Sequence, residues 1–198
     1  MQVAVALGGV EERVEVREEE LLHFPRGMVG FEEYTRYALF DLERSLYLLQ
    51  SVDDLEVGFI LLDPLAVRPG YEAELTEDDR ALLGLRRGQR PDLLCVVTLS
   101  PEGVPAGVNL RAPVALNPAR RLGAQLIPQE SPYSVRHPLS VAPDGSIALV
   151  GYREGSDRPK GTPSTGARGV ASAGRASASP GRRRTAAEAR AAGGAAKC

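Results

Sequence analysis

Histidine and cysteine, the usual zinc ligands and frequent catalytic residues, are scarce: 198 residues hold two of each. No Cys/His spacing suits zinc, and the alternating calcium-loop pattern is absent from the acid-rich "SVDDLEVGF". There is no G-x-S-x-G elbow and no G-x-x-x-x-G-K phosphate loop. No apolar run approaches the roughly 18–20 residues of a membrane span. The opening "MQVAVALGGVEERVEV" lacks a basic n-region and turns acidic at Glu11, unlike a secretory signal. Cys95 lies inside the apolar "LLCVVTL" and Cys198 is the last residue, which suggests a small buried hydrophobe and a terminal thiol, not a disulfide framework. The cytoplasm is the expected compartment, and no cofactor is expected.

What is present is an uneven distribution of charge. Overall there are 24 Lys and Arg against 26 Asp and Glu. Ten of the basic and three of the acidic residues follow Tyr152, giving that tail +7 and leaving residues 1–152 with 14 basic and 23 acidic residues, or −9. An acidic body repels a phosphate backbone and attracts basic surfaces, so the body is expected not to bind nucleic acid directly. After Tyr152 there is no aromatic residue, no Leu, Ile or Phe, and one Val, Val170. Such a segment cannot bury enough apolar surface to offset the roughly 1–2 kcal/mol per residue that ordering a backbone costs, so residues 153–198 are expected to be disordered.

Before that boundary the pattern is mostly of period two. "QVAVAL" and "RVEVRE" alternate, with Val3, Val5, Val14 and Val16 on common faces. "YALFDL", "LYLLQS", "VGFILL", "DLLCVVTL", "APVALN", "AQLI" and "SIALV" are short apolar runs, most of them bounded by turn-forming residues, and they read as strands. Continuous runs such as "LLCVVTL" indicate strands covered on both faces. One segment differs: in "LTEDDRALLGL" Thr76 caps a short helix, Glu77, Asp78 and Asp79 fill its first turn, Leu82 and Leu83 face the core, and Gly84 stops it. Many short strands with one small helix predict an antiparallel barrel or closed sandwich over residues 1–152.

The loop "HFPRGMVGFEEY" carries two glycines that permit backbone angles closed to other residues, Gly27 and Gly30. Phe31 is expected to plug the barrel, and Glu32 and Glu33 to project outward. A corner is the simpler role; partner contact by its acids is the sharper one. For catalysis, the single arrangement worth weighing is His137 with Ser131 or Ser134 in "SPYSVRHPL", against a plain loop-fixing role for the histidine. The "GRRRT" of the tail leaves a nucleic-acid adaptor as the other alternative.

Seven motifs follow in order: "FPRGMVGFE" at 24–32, "LYLLQSVDD" at 46–54, "GFILLDP" at 58–64, "PGYEAEL" at 69–75, "VVTLSPEG" at 96–103, "VNLRAPVALNPARRLGAQLI" at 108–127 and "YSVRHPL" at 133–139. Together they resemble the flagellar assembly factor FliW family across about residues 3–139. The first loop departs from that family's usual G-L-P-G-F-E, with Met28 and Val29 in the middle, and the tail lies outside the pattern. The resemblance implies a small cytoplasmic β-barrel-like regulator without enzymatic activity. It implies binding to flagellin and, on release, to the RNA-binding translational repressor CsrA, which is antagonised allosterically so that flagellin mRNA is no longer silenced. The expected partner surface is the set of acids flanking one hairpin and a Pro-rich loop, Asp53, Asp54, Glu56, Asp63, Glu72 and Glu74, with Tyr71 as an aromatic anchor.

Overall fold

The computed structural model describes residues 2–7 and 10–151, with side chains from Val14 onward; the expected disordered segment 153–198 lies outside the described residues. Twelve strands are present among them: β1 (Gln2–Leu7), β2 (Val10–Glu15), β3 (Leu22–His23), β4 (Arg36–Asp41), β5 (Leu46–Ser51), β6 (Gly58–Leu62), β7 (Asp92–Leu99), β8 (Pro105–Val108), β9 (Val114–Asn117), β10 (Leu122–Gln125), β11 (His137–Val141) and β12 (Ile147–Leu149). β1 and β2 form a separate hairpin in which Val3 opposes Val14. The other ten form one sheet, and a further pairing of β7 with β9 closes β3, β4, β5, β6, β7, β9 and β10 into a seven-stranded barrel. Every pairing is antiparallel except β3 with β10, where Leu122 opposes His23 in parallel. The barrel reading of the sequence therefore holds, with one parallel seam.

β7 belongs to two structures at once. Its first residues, Asp92–Leu94, pair with β9; Cys95 and Val96 pair with β6. From Val97 onward it pairs with β8, which with β11 and β12 forms a layer outside the barrel. This explains the continuous apolar run. Leu94 and Val96 belong to the barrel interior with Leu22, Phe24, Met28, Tyr37, Leu49, Leu61, Val114 and Leu116, whereas Cys95 and Val97 pack with Val108, Leu110, Leu139 and Leu149 of the outer layer. The outer face of β4 and β5 is covered in turn by Val16 and Leu21, which meet Ala38, Phe40 and Leu48.

Among the described residues two short α-helices occur where one helix was expected. The expected one, α2 (Glu77–Leu82), forms as the sequence indicates: Thr76 Oγ1 accepts from the Asp79 N–H at 3.1 Å, and Asp79 Oδ2 accepts from the Thr76 N–H at 3.0 Å. Leu83 is fully buried against Ala115, Ala124 and Leu126, and Gly84 ends the helix at φ +60°. The unexpected one, α1 (Pro64–Val67), is a single turn started by Asp63, whose Oδ1 accepts from the Leu65 N–H at 2.9 Å, with proline at the first helical position. Among the described residues no helix is long and apolar enough to cross a membrane.

Candidate partner-binding end of the barrel

At one end of the barrel two loops lie together. The first, from Phe24 to Tyr34, is a chain of tight turns: Gly27 N–H donates to Phe24 O at 2.9 Å, Phe31 N–H to Met28 O at 2.8 Å and Tyr34 N–H to Phe31 O at 3.2 Å. Gly27 (φ +63°) and Gly30 (φ +81°) hold the left-handed angles, as the sequence requires. Gly27 is doubly constrained, since a Cβ there would stand 2.6 Å from the Glu32 Cα. Gln125 of β10 pins the loop by accepting from the Val29 N–H at 3.1 Å, and Glu32 folds back to accept from the Gly30 N–H at 2.9 Å. That hydrogen bond holds the Glu32 carboxyl below the usual carboxylate range.

The second loop joins β5 to β6. Ser51 Oγ accepts from the N–H groups of Asp53 and Asp54 at 3.1 Å each, closing the turn. The buried Gln50 amide donates to the carbonyls of Ser51, Leu55 and Val57 at 3.2, 3.1 and 2.9 Å. The two loops are tied across: the Tyr34 hydroxyl donates to Asp54 Oδ2 at 3.0 Å, which raises the Tyr34 pKa, and Arg36 Nε donates to Asp53 Oδ1 at 2.9 Å. Burial works against the Asp53 charge, but the hydrogen bond and charge of Arg36 outweigh it and hold that carboxyl low.

Between these loops an aromatic chain runs from the core to the surface. Phe24 meets Tyr37 edge-on at 5.0 Å, Tyr37 lies 6.3 Å from Phe59, and Phe59 meets Phe31 edge-on at 5.2 Å. Phe24 and Tyr37 are completely buried, whereas Phe31 is 37% exposed, with Val29 at 56% and Leu55 at 50%. The barrel is therefore plugged by Phe24 and Met28, not by Phe31, because the Met28–Phe31 turn points Met28 inward and leaves Phe31 lying over Phe59 at the rim. Exposed Glu33 and Glu56 flank this apolar rim.

The acids expected to form one surface are divided. Asp53, Asp54 and Glu56 precede β6 and Asp63 follows it, so the five-residue strand holds them about 16 Å apart. Asp53 is taken up by Arg36, Asp54 by Tyr34 and Asp63 by the first turn of α1. Glu72 and Glu74 are exposed on the chain leading to α2, with Glu72 3.1 Å from Arg90 in a surface pair. Tyr71 is no surface anchor: it is 4% exposed, and its hydroxyl donates to Leu110 O at 2.6 Å. Burial raises its pKa, and the Pro-rich loop turns it inward because the outer layer needs an apolar filler beside Tyr133, 4.8 Å away. The residues that do assemble and were missed are Tyr34, Leu55 and Phe59. The signal for them was an aromatic directly after "FEE" and an apolar residue between acids in "DDLEV".

His137 and the two serines do not come together. His137 Nε2 lies 3.1 Å from Val150 O, Ser131 Oγ accepts from the Tyr133 N–H and Ser134 Oγ from the Arg136 N–H. Each fixes local backbone, and among the described residues no hydrogen bond joins them. Cys95 is completely buried, and burial pushes its thiol up to about 12.

Comparison with known proteins places these features in context. The family model described as "FliW protein" matches residues 10–139. A flagellar assembly factor FliW from Natranaerobius thermophilus is 35% identical over 129 residues, spanning 64% of this chain and 85% of that protein. One from Clostridium botulinum is 34% identical over 132 residues, spanning 66% of this chain and 94% of that protein. A crystal structure of the flagellar assembly factor FliW superposes with a TM-score of 0.61 at 29% identity, covering 68% of this chain and 95% of that one.

Proposed function

The chain belongs to the FliW family, and from that premise we propose that it is a cytoplasmic, non-enzymatic flagellar assembly factor that works by gripping other polypeptides. Its partners are flagellin and the translational repressor CsrA, and CsrA is antagonised allosterically, so that flagellin synthesis follows export. The observation that carries the binding surface is the coincidence, at one barrel end, of exposed Val29, Phe31 and Leu55 with exposed acids that hold no ion pair among the described residues, Glu33 and Glu56. An apolar centre with a charged rim suits an amphipathic segment whose polar face is basic. A −9 body held beside a basic RNA-binding surface also disfavours an approaching phosphate backbone.

The test is calorimetry of the full chain against purified CsrA and purified flagellin. Glu33→Lys with Glu56→Lys is expected to weaken CsrA binding about tenfold or more at low salt, because reversal replaces attraction by repulsion at both places. The difference should shrink near 1 M salt, where the Debye length is about 3 Å. Phe31→Ala is expected to weaken both partners. Wild-type affinities in these variants, with unchanged unfolding midpoints, would refute the surface.

A further inference from the structure

The body and the tail carry opposite charge, and the acids of the body are not equally available. Around Glu18–Glu20, Arg17 already meets Glu19 at 3.4 Å and Glu20 at 2.7 Å. Near Glu72 the carboxylate faces Arg90, and the neighbouring ring of Tyr133 already has Arg68 over it at 5.0 Å. Only at the barrel end, among the described residues, does a partly exposed phenyl ring, Phe31, stand beside acids without an ion pair, Glu33 and Glu56. The Tyr37 hydroxyl, completely buried and in the field of Asp53 and Glu33, has no hydrogen-bond partner among the described residues. A planar cation that stacks on an aromatic face while meeting carboxylates at its edge is a guanidinium.

The chain supplies three in a row: Arg182, Arg183 and Arg184. About thirty residues separate them from Gly151, the last described residue. A Gly- and Ser-rich segment of that length spans about 30 Å r.m.s., against a radius of gyration of about 15 Å for a domain of this size. Any point on the barrel is within reach. The family model ends its match at residue 139, so this segment lies outside the region shared with the family.

We propose that the arginine run 182–184 docks on the Phe31–Glu33–Glu56 end of its own barrel and competes there with the basic protein partner. The docking is a weak, salt-sensitive contact, since exposed ion pairs contribute little each. Its effect comes from tethering, which presents the run at an effective concentration on the order of millimolar. The competition rests on the partner reading above; the docking does not.

The experiment uses the full chain with Cys198→Ser and Ser179→Cys, so that a thiol-reactive spin label goes to position 179. Cys95 is buried with its thiol pushed up to about 12 and stays unlabelled in the native state. Paramagnetic broadening of backbone amides is expected at residues 28–34 and 53–57, and is expected to vanish both near 1 M salt and in Glu33→Lys with Glu56→Lys. Broadening at Glu18–Glu20 or Glu72–Asp78 instead, or spread evenly, would overturn the docking, as would its survival in the double variant. In parallel, Arg182→Glu, Arg183→Glu and Arg184→Glu together are expected to tighten CsrA binding about two- to tenfold. Equal affinity with and without them overturns the competition. Localised broadening with no CsrA binding at all refutes the partner reading and leaves the docking standing.

Discussion

Gly123 of β10 is the position where the barrel has least room, and Gly123→Ala turns that into a measurement. A Cβ there would lie 2.9 Å from Phe24 Cε1 and closer still to Cζ and Cε2. The ring has nowhere to go. It is completely buried and edge-on to Tyr37, and its backbone is fixed by hydrogen bonds to Thr35 O and from the Gly27 N–H. Overpacking a rigid core costs typically about 1–3 kcal/mol, and this contact stands at the upper end of that range. A loss of about 3 kcal/mol lowers Tm by about 6–12 °C in a domain of this size. Phe24→Leu alone opens a cavity and is expected to cost about 1–2 kcal/mol. Combined, the two changes relieve each other, because the smaller side chain vacates the volume the methyl needs. The double variant should therefore be more stable than the sum of the single losses by about 1 kcal/mol or more. Urea denaturation of the four proteins measures this. A Gly123→Ala loss below about 0.5 kcal/mol, or strict additivity in the cycle, would show that the ring is mobile and that the plug is wrongly assigned.

Two further outcomes follow from the loops. Arg36 holds the Asp53 carboxyl below its unfolded value, so its contribution is present above pH of about 4 and is lost as pH falls through the folded pKa; Asp53→Asn should flatten the acid limb of stability against pH, and an unchanged limb would mean that other carboxylates dominate it. At the β4–β5 turn Glu43, Arg44 and Ser45 all have positive φ, at 69°, 51° and 64°, an arrangement that disfavours residues with a Cβ. Glu43→Gly should raise stability by about 0.5–1 kcal/mol after the entropic cost of glycine, as a higher denaturation midpoint; a lower midpoint would show that the side chain contributes more than its backbone angle costs.

Most of the barrel was readable because its strands are bounded by turn residues and carry apolar runs. β1, β5, β6, β7, β9 and β12 fall inside runs visible in the sequence, β4 starts one residue before its run, and the Thr76–Asp79 cap was legible residue by residue. β8 and β11 were not, since "PAGV" and "HPLSV" each contain a proline, and β3 is two residues long. Proline is tolerated in β8 because Pro105 is its first residue, beside the register shift at Thr98/Leu99, and in β11 because Pro138 stands at the strand's start in a ladder of only two residue pairs with β8. The candidate site was harder to read for a different reason. Acids close in sequence looked like one cluster, but a strand between them separated Asp53 from Asp63, and pairing with Arg36 and Tyr34 consumed two of them. Tyr71 sits among turn-forming residues that read as surface, yet a polar hydroxyl with a carbonyl to meet can be buried. Which aromatic goes inward, Phe24 or Phe31, depends on the glycine angles of a three-turn loop, and no periodicity encodes that.

The parallel join between β3 and β10 also bears on how the protein is made. The Arg121 guanidinium reaches the Glu19 carbonyl across 102 positions of chain, and the ladder beside it amounts to a single residue pair. Until the ribosome has released that distant strand, β3 and β4 stand with an unpaired flank, a ready template for any other extended polypeptide. A translation arrest short of residue 122 would thus leave a barrel open at its missing strand, seeking a neighbour's backbone in place of its own.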